Sequence, residues 1–154
     1  MTHEIIHPRG WARAIGYSNA IAATSGRIVF IAGQVGWDAR QKFHSREIAP
    51  QFEQALKNVL AILGAAGGKP EHICRLTAYC CDKAAYLGAR ARLGAIWRRL
   101  MGRHYPAMSM IFVSDLLDAP ALIELEATAV VPTVAARRSS RAGRGRTRRH
   151  SKSA

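Results

Sequence analysis

A chain of 154 residues holds enough apolar material for one domain with a sizeable core and too little for two. Charge is uneven: of 23 Lys and Arg residues, 15 lie in residues 1–132 beside all ten Asp and Glu, whereas residues 133–154 hold the other eight and no acid. No run of about 18 apolar residues occurs, and Met1 to Pro8 has no apolar signal core. These features exclude a helical membrane span and point to a cytoplasmic protein with no membrane insertion.

In chain order, the apolar runs Asn19 to Thr24 and Arg27 to Val35 flank Ser25-Gly26, a spacing that predicts a β-hairpin turned at the glycine. From Pro50 to Ala66, apolar Phe52, Ala55, Leu56, Val59, Ile62, Leu63 and Ala66 recur at helical spacing before a Gly67-Gly68 stop, which predicts an amphipathic helix. His72 to Cys81 reads as a strand. Asp82 is placed to cap a second helix reaching Met101, with Tyr86, Leu93, Ile96, Trp97 and Leu100 on its apolar stripe and Gly102 at its end. Ala107 to Val113 and Ala121 to Val131 complete the order β-β-α-β-α-β-β. Two helices against one sheet predict a two-layer α+β domain over residues 1–132.

Alternation along the third strand puts Cys74, Leu76, Ala78 and Cys80 on a helix-facing side and Arg75, Thr77, Tyr79 and Cys81 on the other. The last strand repeats this, with Ile123, Leu125 and Ala127 opposite Glu124, Glu126 and Thr128. A second face this substantial suits packing against further copies of the chain. Adjacent Cys80 and Cys81 point to opposite faces, and the three cysteines have no metal-type spacing with histidine, so reduced thiols and no metal are expected. Residues 133–154 contain no large apolar residue after Val134 and are expected to be a disordered basic tail. Its arginines would attract polyanions non-specifically through counterion release, and a solvated extension accounts for the same composition.

Five motifs in order add a family resemblance: Gly16-Tyr17-Ser18-Asn19-Ala20, Val29 to Gly36 with Ala32-Gly33-Gln34, Gln51 to Val59, Gly67 followed by Ile73 to Tyr79, and His104-Tyr105-Pro106-Ala107-Met108-Ser109 followed by Ile123-Glu124-Leu125-Glu126-Ala127. Over residues 15–131 the chain resembles the Rid (YjgF/YER057c/UK114) family. The resemblance implies a chorismate-mutase-like (RidA-like) fold, a homotrimer with small-molecule clefts between subunits, and hydrolysis of imines or enamines without a cofactor.

Competent members of that family carry an arginine two residues after the motif proline, where it grips the substrate carboxylate. Here the position is Met108, which offers no hydrogen bond to a carboxylate and favours an apolar or neutral ligand. Glu124 matches the glutamate that positions water, with a salt bridge to Arg75 as the structural alternative. Tyr17 and Gly33 match ligand-contacting positions, and packing or a strand-end bend would explain them equally. Gly94 stands where relatives often have asparagine. Arg103 or His104, beside the motif proline, could supply the missing positive charge; Trp97 fits core packing, and Trp37, at a strand end, fits a cleft mouth and packing equally.

These residues predict a RidA-like protein with an intersubunit cleft that hydrolyses imines or enamines of a non-standard substrate. A non-catalytic metabolite-binding protein and an RNA-binding, endoribonuclease-like translation inhibitor are the alternatives. No ribonuclease-type histidine pair or aromatic-basic RNA motif favours the last.

Overall fold

The structure is a computed structural model that describes residues 3–133, so from residue 134 onward the expected basic tail lies outside the described residues. Strands β1 (Glu4–Ile6), β2 (Ala20–Ala22) and β3 (Arg27–Val35) precede helix α1 (Ile48–Ala65). Then come β4 (Ile73–Cys80), helix α2 (Lys83–Met101), β5 (Ala107–Phe112) and β6 (Ile123–Val131). The main sheet has the order β3-β6-β4-β5, antiparallel except for the parallel β4-β5 pair. The chain is a two-layer α+β domain, as its pattern of apolar residues predicts.

Helix α1 lies across β3 and β6, and α2 packs beside it. Leu56, Val59 and Leu63 of α1 are fully buried against Ile73 and Leu76 of β4 and Ile123 and Leu125 of β6. Each such leucine or isoleucine stabilises the fold by about 1.5–3 kcal/mol relative to exposure. The Asp82 carboxylate accepts from the Ala85 amide at 2.8 Å and caps α2, and Gly102 ends it with φ 63°.

Among the described residues three polar side chains are buried, those of Ser18, Thr77 and Gln51. Gln51 is 1% exposed, and its amide donates to the Ser45 and Pro120 carbonyls, each at 3.0 Å, while its side-chain oxygen accepts from the Leu122 amide at 2.7 Å. Three backbone groups are thereby satisfied, and the loop entering β6 is tied to α1.

The expected hairpin does not form. Strand β2 pairs with β1, an element that the sequence pattern did not reveal, while β3 pairs with β6 over its length. A local turn signal is outweighed here because β6 offers a nine-residue apolar partner and β2 is only three residues long. Gly26 is needed for a different reason: a Cβ there would lie 2.6 Å from the Val131 carbonyl oxygen, so only glycine permits the close approach of β6.

The face assignment of β4 also fails at its start. The β4-β6 register shifts between Ile73 and Arg75, so Ile73 enters the core and Cys74 is left half-buried. On α1, Ile62 faces solvent rather than joining the apolar stripe.

Candidate functional site

Residues from four parts of the chain meet at an open cleft of about 340 Å³ between α2 and β5. Met108 and Met110 come from β5. Met108 is in register with Leu76, which is fully buried on the helix-facing side, so both point toward the helices. The wall is an aromatic stack: Phe52 and Trp97 lie 6.5 Å apart between ring centroids, and Trp97 and Tyr105 lie 5.7 Å apart with 10° between their planes. The Trp97 indole N–H donates to the His104 carbonyl at 3.1 Å, which fixes the ring.

Tyr17 reaches the same cleft because its segment extends the sheet edge. The Ser18 amide donates to the Pro106 carbonyl at 2.9 Å, the Ser18 hydroxyl donates to the Tyr105 carbonyl at 2.6 Å, and Ser18 bridges Ala107 in parallel. Gly16, at φ 80°, turns the chain into this position.

Glu124 stands elsewhere. It is in register with Tyr79 on β4 and shares the sheet face away from the helices with Glu126 and Thr128. Burial, reinforced by Asp118 and Glu126, raises its carboxyl above the ordinary carboxylate range. Gly33 lies against it: a Cβ at Gly33 would sit 1.7 Å from Glu124 Oε1, so the missing side chain is what lets the carboxyl rest on β3. The Arg75 guanidinium reaches the Thr77 hydroxyl at 3.4 Å and forms no ion pair with Glu124. The Tyr79 hydroxyl donates to Glu126 at 3.2 Å.

The structure therefore sorts the sequence-derived residues into two groups, Tyr17, Met108 and Gly94 at the cleft, and Gly33 and Glu124 on the opposite face. Arg103 is exposed and does not line the cleft, because the turn after Gly102 carries it away. His104 does not line the cleft either: its Nε2 donates to the Ile73 carbonyl at 2.7 Å and braces the start of β4. Trp97 serves both the core and the cleft wall, and Trp37 packs on Phe43 at 5.9 Å.

Sequence reasoning missed Arg90, which does line the cleft. Its signal was available: Tyr86, Arg90 and Gly94 are spaced four apart on one helix face. Burial raises the thiols of Cys74, Cys80 and Cys81, which makes poor nucleophiles of them. Among the described residues no His, Cys, Asp and Glu cluster could hold a metal ion, and no helix is long and apolar enough to cross a membrane.

The fold and its sequence pattern match known proteins. A family described as Endoribonuclease L-PSP matches residues 11–131, and the chain belongs to this family, which includes the Rid and RutC proteins. It is 30% identical to Protein DfrA of Myxococcus xanthus over 84% of this chain and 97% of that one. It is 34% identical to a RutC family protein of Pyrococcus horikoshii over 82% of this chain and 96% of that one. Among solved structures, YyfB of Yersinia pestis, a Rid family protein of unknown function, shares 32% identity with a TM-score of 0.76 over 85% of this chain and all of that one. RidA of an Antarctic Psychrobacter shares 26% with a TM-score of 0.60, over 83% and 99%.

Proposed function

We propose that this chain hydrolyses a C=N bond in a small molecule held beneath Met108, in a cleft completed by homotrimerisation. The observation that carries the reading is the division of the candidate residues between two faces of one sheet. Met108 and Tyr17 border the cleft, while Glu124 and Gly33 stand on the bare side. A carboxylate on one face does not serve a ligand on the other within one chain, so Glu124 from a neighbouring copy would complete each cleft. The bare face also exposes Phe30 at 80%, with Ile28 and Ile111 also exposed, which supports its use as a subunit contact.

In this chemistry Glu124 takes a proton from water as the oxygen bonds to the imine carbon and the C=N π electrons move to nitrogen. A carbinolamine results. The carboxyl returns the proton to nitrogen, the resulting carboxylate then carries the hydroxyl proton to the same nitrogen as the carbonyl forms and the C–N bond breaks, and ammonia departs. A carboxyl held above its ordinary range is suited to such proton return.

The test is ammonia release from a panel of imines and enamines generated in the assay, with wild-type protein and Glu124→Gln. Turnover in the wild type that falls at least tenfold in the variant is expected. A wild-type rate unchanged by Glu124→Gln overturns the assignment, and bound ligand without turnover would make the cleft a metabolite-binding site.

A further inference from the structure

The cleft between α2 and β5 is lined by aromatic rings, Met108, Met110 and other uncharged residues, with one charged side chain, Arg90. Its neighbours on α2 are occupied: Arg92 pairs with Glu47 at 3.1 Å and Arg99 with Glu53 at 2.7 Å. Among the described residues no carboxylate lies within ion-pair distance of Arg90. One turn further on is Gly94, where an added Cβ would meet nothing nearer than Arg98 Nη1 at 3.5 Å. Glycine is not demanded there by packing, and its absent side chain leaves room in the cleft beside the guanidinium.

We propose that Arg90 is the anion anchor of this cleft, and that the ligand is a carboxylate with an aromatic or similarly bulky apolar body. This rests on and deepens the reading of the cleft as a ligand site, and sets a charged ligand against the neutral one expected from Met108. A guanidinium offers two parallel donors to a carboxylate wherever its backbone stands, so an anchor on α2 replaces one absent from β5 while changing the distance to the apolar wall. The Phe52-Trp97-Tyr105 stack is held by packing and, with Leu93, Met108 and Met110, borders the cleft as a mostly apolar wall for a bulky group. A three-carbon acid has no body to cover that surface and forgoes the apolar part of the binding energy.

The test is isothermal titration of the full chain with phenylpyruvate, the neutral 4-phenyl-2-butanone, and pyruvate. Phenylpyruvate is expected to bind at least tenfold more tightly than either of the others. Arg90→Gln should weaken phenylpyruvate by about tenfold and leave 4-phenyl-2-butanone unchanged, with Arg90→Lys intermediate. Gly94→Leu, which fills the cleft from a position where an added Cβ meets nothing nearer than 3.5 Å, should weaken both aromatic probes. Phenylpyruvate affinity that survives Arg90→Gln but is lost in Gly94→Leu overturns the anchor and keeps the cleft. Affinity indifferent to Gly94→Leu, or no binding of any probe, overturns both. Equal affinity for pyruvate and phenylpyruvate overturns the bulky body. Because no turnover is measured, failure of the C=N chemistry leaves each of these results interpretable.

Discussion

Gly33→Ala separates the role of Glu124 from the stability of the strand that supports it. The added Cβ would lie 1.7 Å from Glu124 Oε1 and 2.7 Å from its carboxyl carbon, whereas ordinary contact begins near 3.4 Å. The carboxyl must therefore retreat by more than an ångström, and it is free to do so because the clashing atom ends a flexible side chain. Gly33 is not at a left-handed backbone angle, so alanine is tolerated, and the stiffer unfolded chain contributes about 0.4–1 kcal/mol in its favour. Thermal unfolding should thus stay within about 1 kcal/mol of wild type. A reacting group misplaced by an ångström loses on the order of 100-fold in rate, so kcat/KM for imine hydrolysis should fall by about that factor. Pushed into water, the Glu124 carboxyl should also titrate closer to the ordinary carboxylate range, which NMR would show without any turnover. Combined with Glu124→Ala, the substitution should add little further loss, because both remove the same group. Wild-type activity in Gly33→Ala, with Glu124 titrating as before, would refute the reasoning.

Gln51→Leu leaves the Ser45 and Pro120 carbonyls and the Leu122 amide without their partner, and at about 1–3 kcal/mol for each of the three groups denaturant unfolding should show a loss of about 3–9 kcal/mol when water recovers none of them. A loss below 1 kcal/mol would mean that the loop repairs itself. Burial raises Glu124, so the folded chain keeps that proton to higher pH than the unfolded chain, and the stability contributed by the protonated form fades as pH rises through the raised value. Glu124→Gln should accordingly match wild type at low pH and exceed it above that window, and a pH-independent difference would contradict the burial. Phe30→Asp places a charge on the proposed subunit face; light scattering should show a trimer for wild type and smaller species for the variant, and a wild-type monomer at micromolar concentration would dismiss the shared site. Wild type should hydrolyse 2-iminopropanoate slowly and Met108→Arg should raise that rate, by adding from β5 charge-assisted hydrogen bonds of about 1.5–3 kcal/mol each to those that Arg90 offers from α2; adding Glu124→Gln should cancel the gain.

Both helices and the strands of the main sheet were legible in the chain because their signals are local. Helical spacing from Phe52 to Leu63 and alternation from Ile123 to Ala127 each state which side is buried, and Asp82 and Gly102 mark the ends of α2 by short-range backbone chemistry. The motif residues of the candidate site were equally visible, including the departure at Met108.

Partnership between distant segments was not visible, since nothing local distinguishes a strand that pairs with its neighbour from one that pairs a hundred residues away. Ser25-Gly26 had the composition of a hairpin turn, but the length and apolarity of β6 won β3, and β2 was left to pair with β1. The same reason governs the site. Side chains alternate with a period of two, so a slip of one residue in the parallel β4-β5 register would have put Met108 on the face of Glu124. The pairing of Leu76 with Met108 instead turns Met108 toward α2, where it meets Arg90 and the aromatic stack, and leaves Glu124 facing the other way. The sequence alone named Met108 and Glu124 but not Arg90, while tertiary register decided which residues share a space, because only the packed sheet converts a residue's position along the chain into a face.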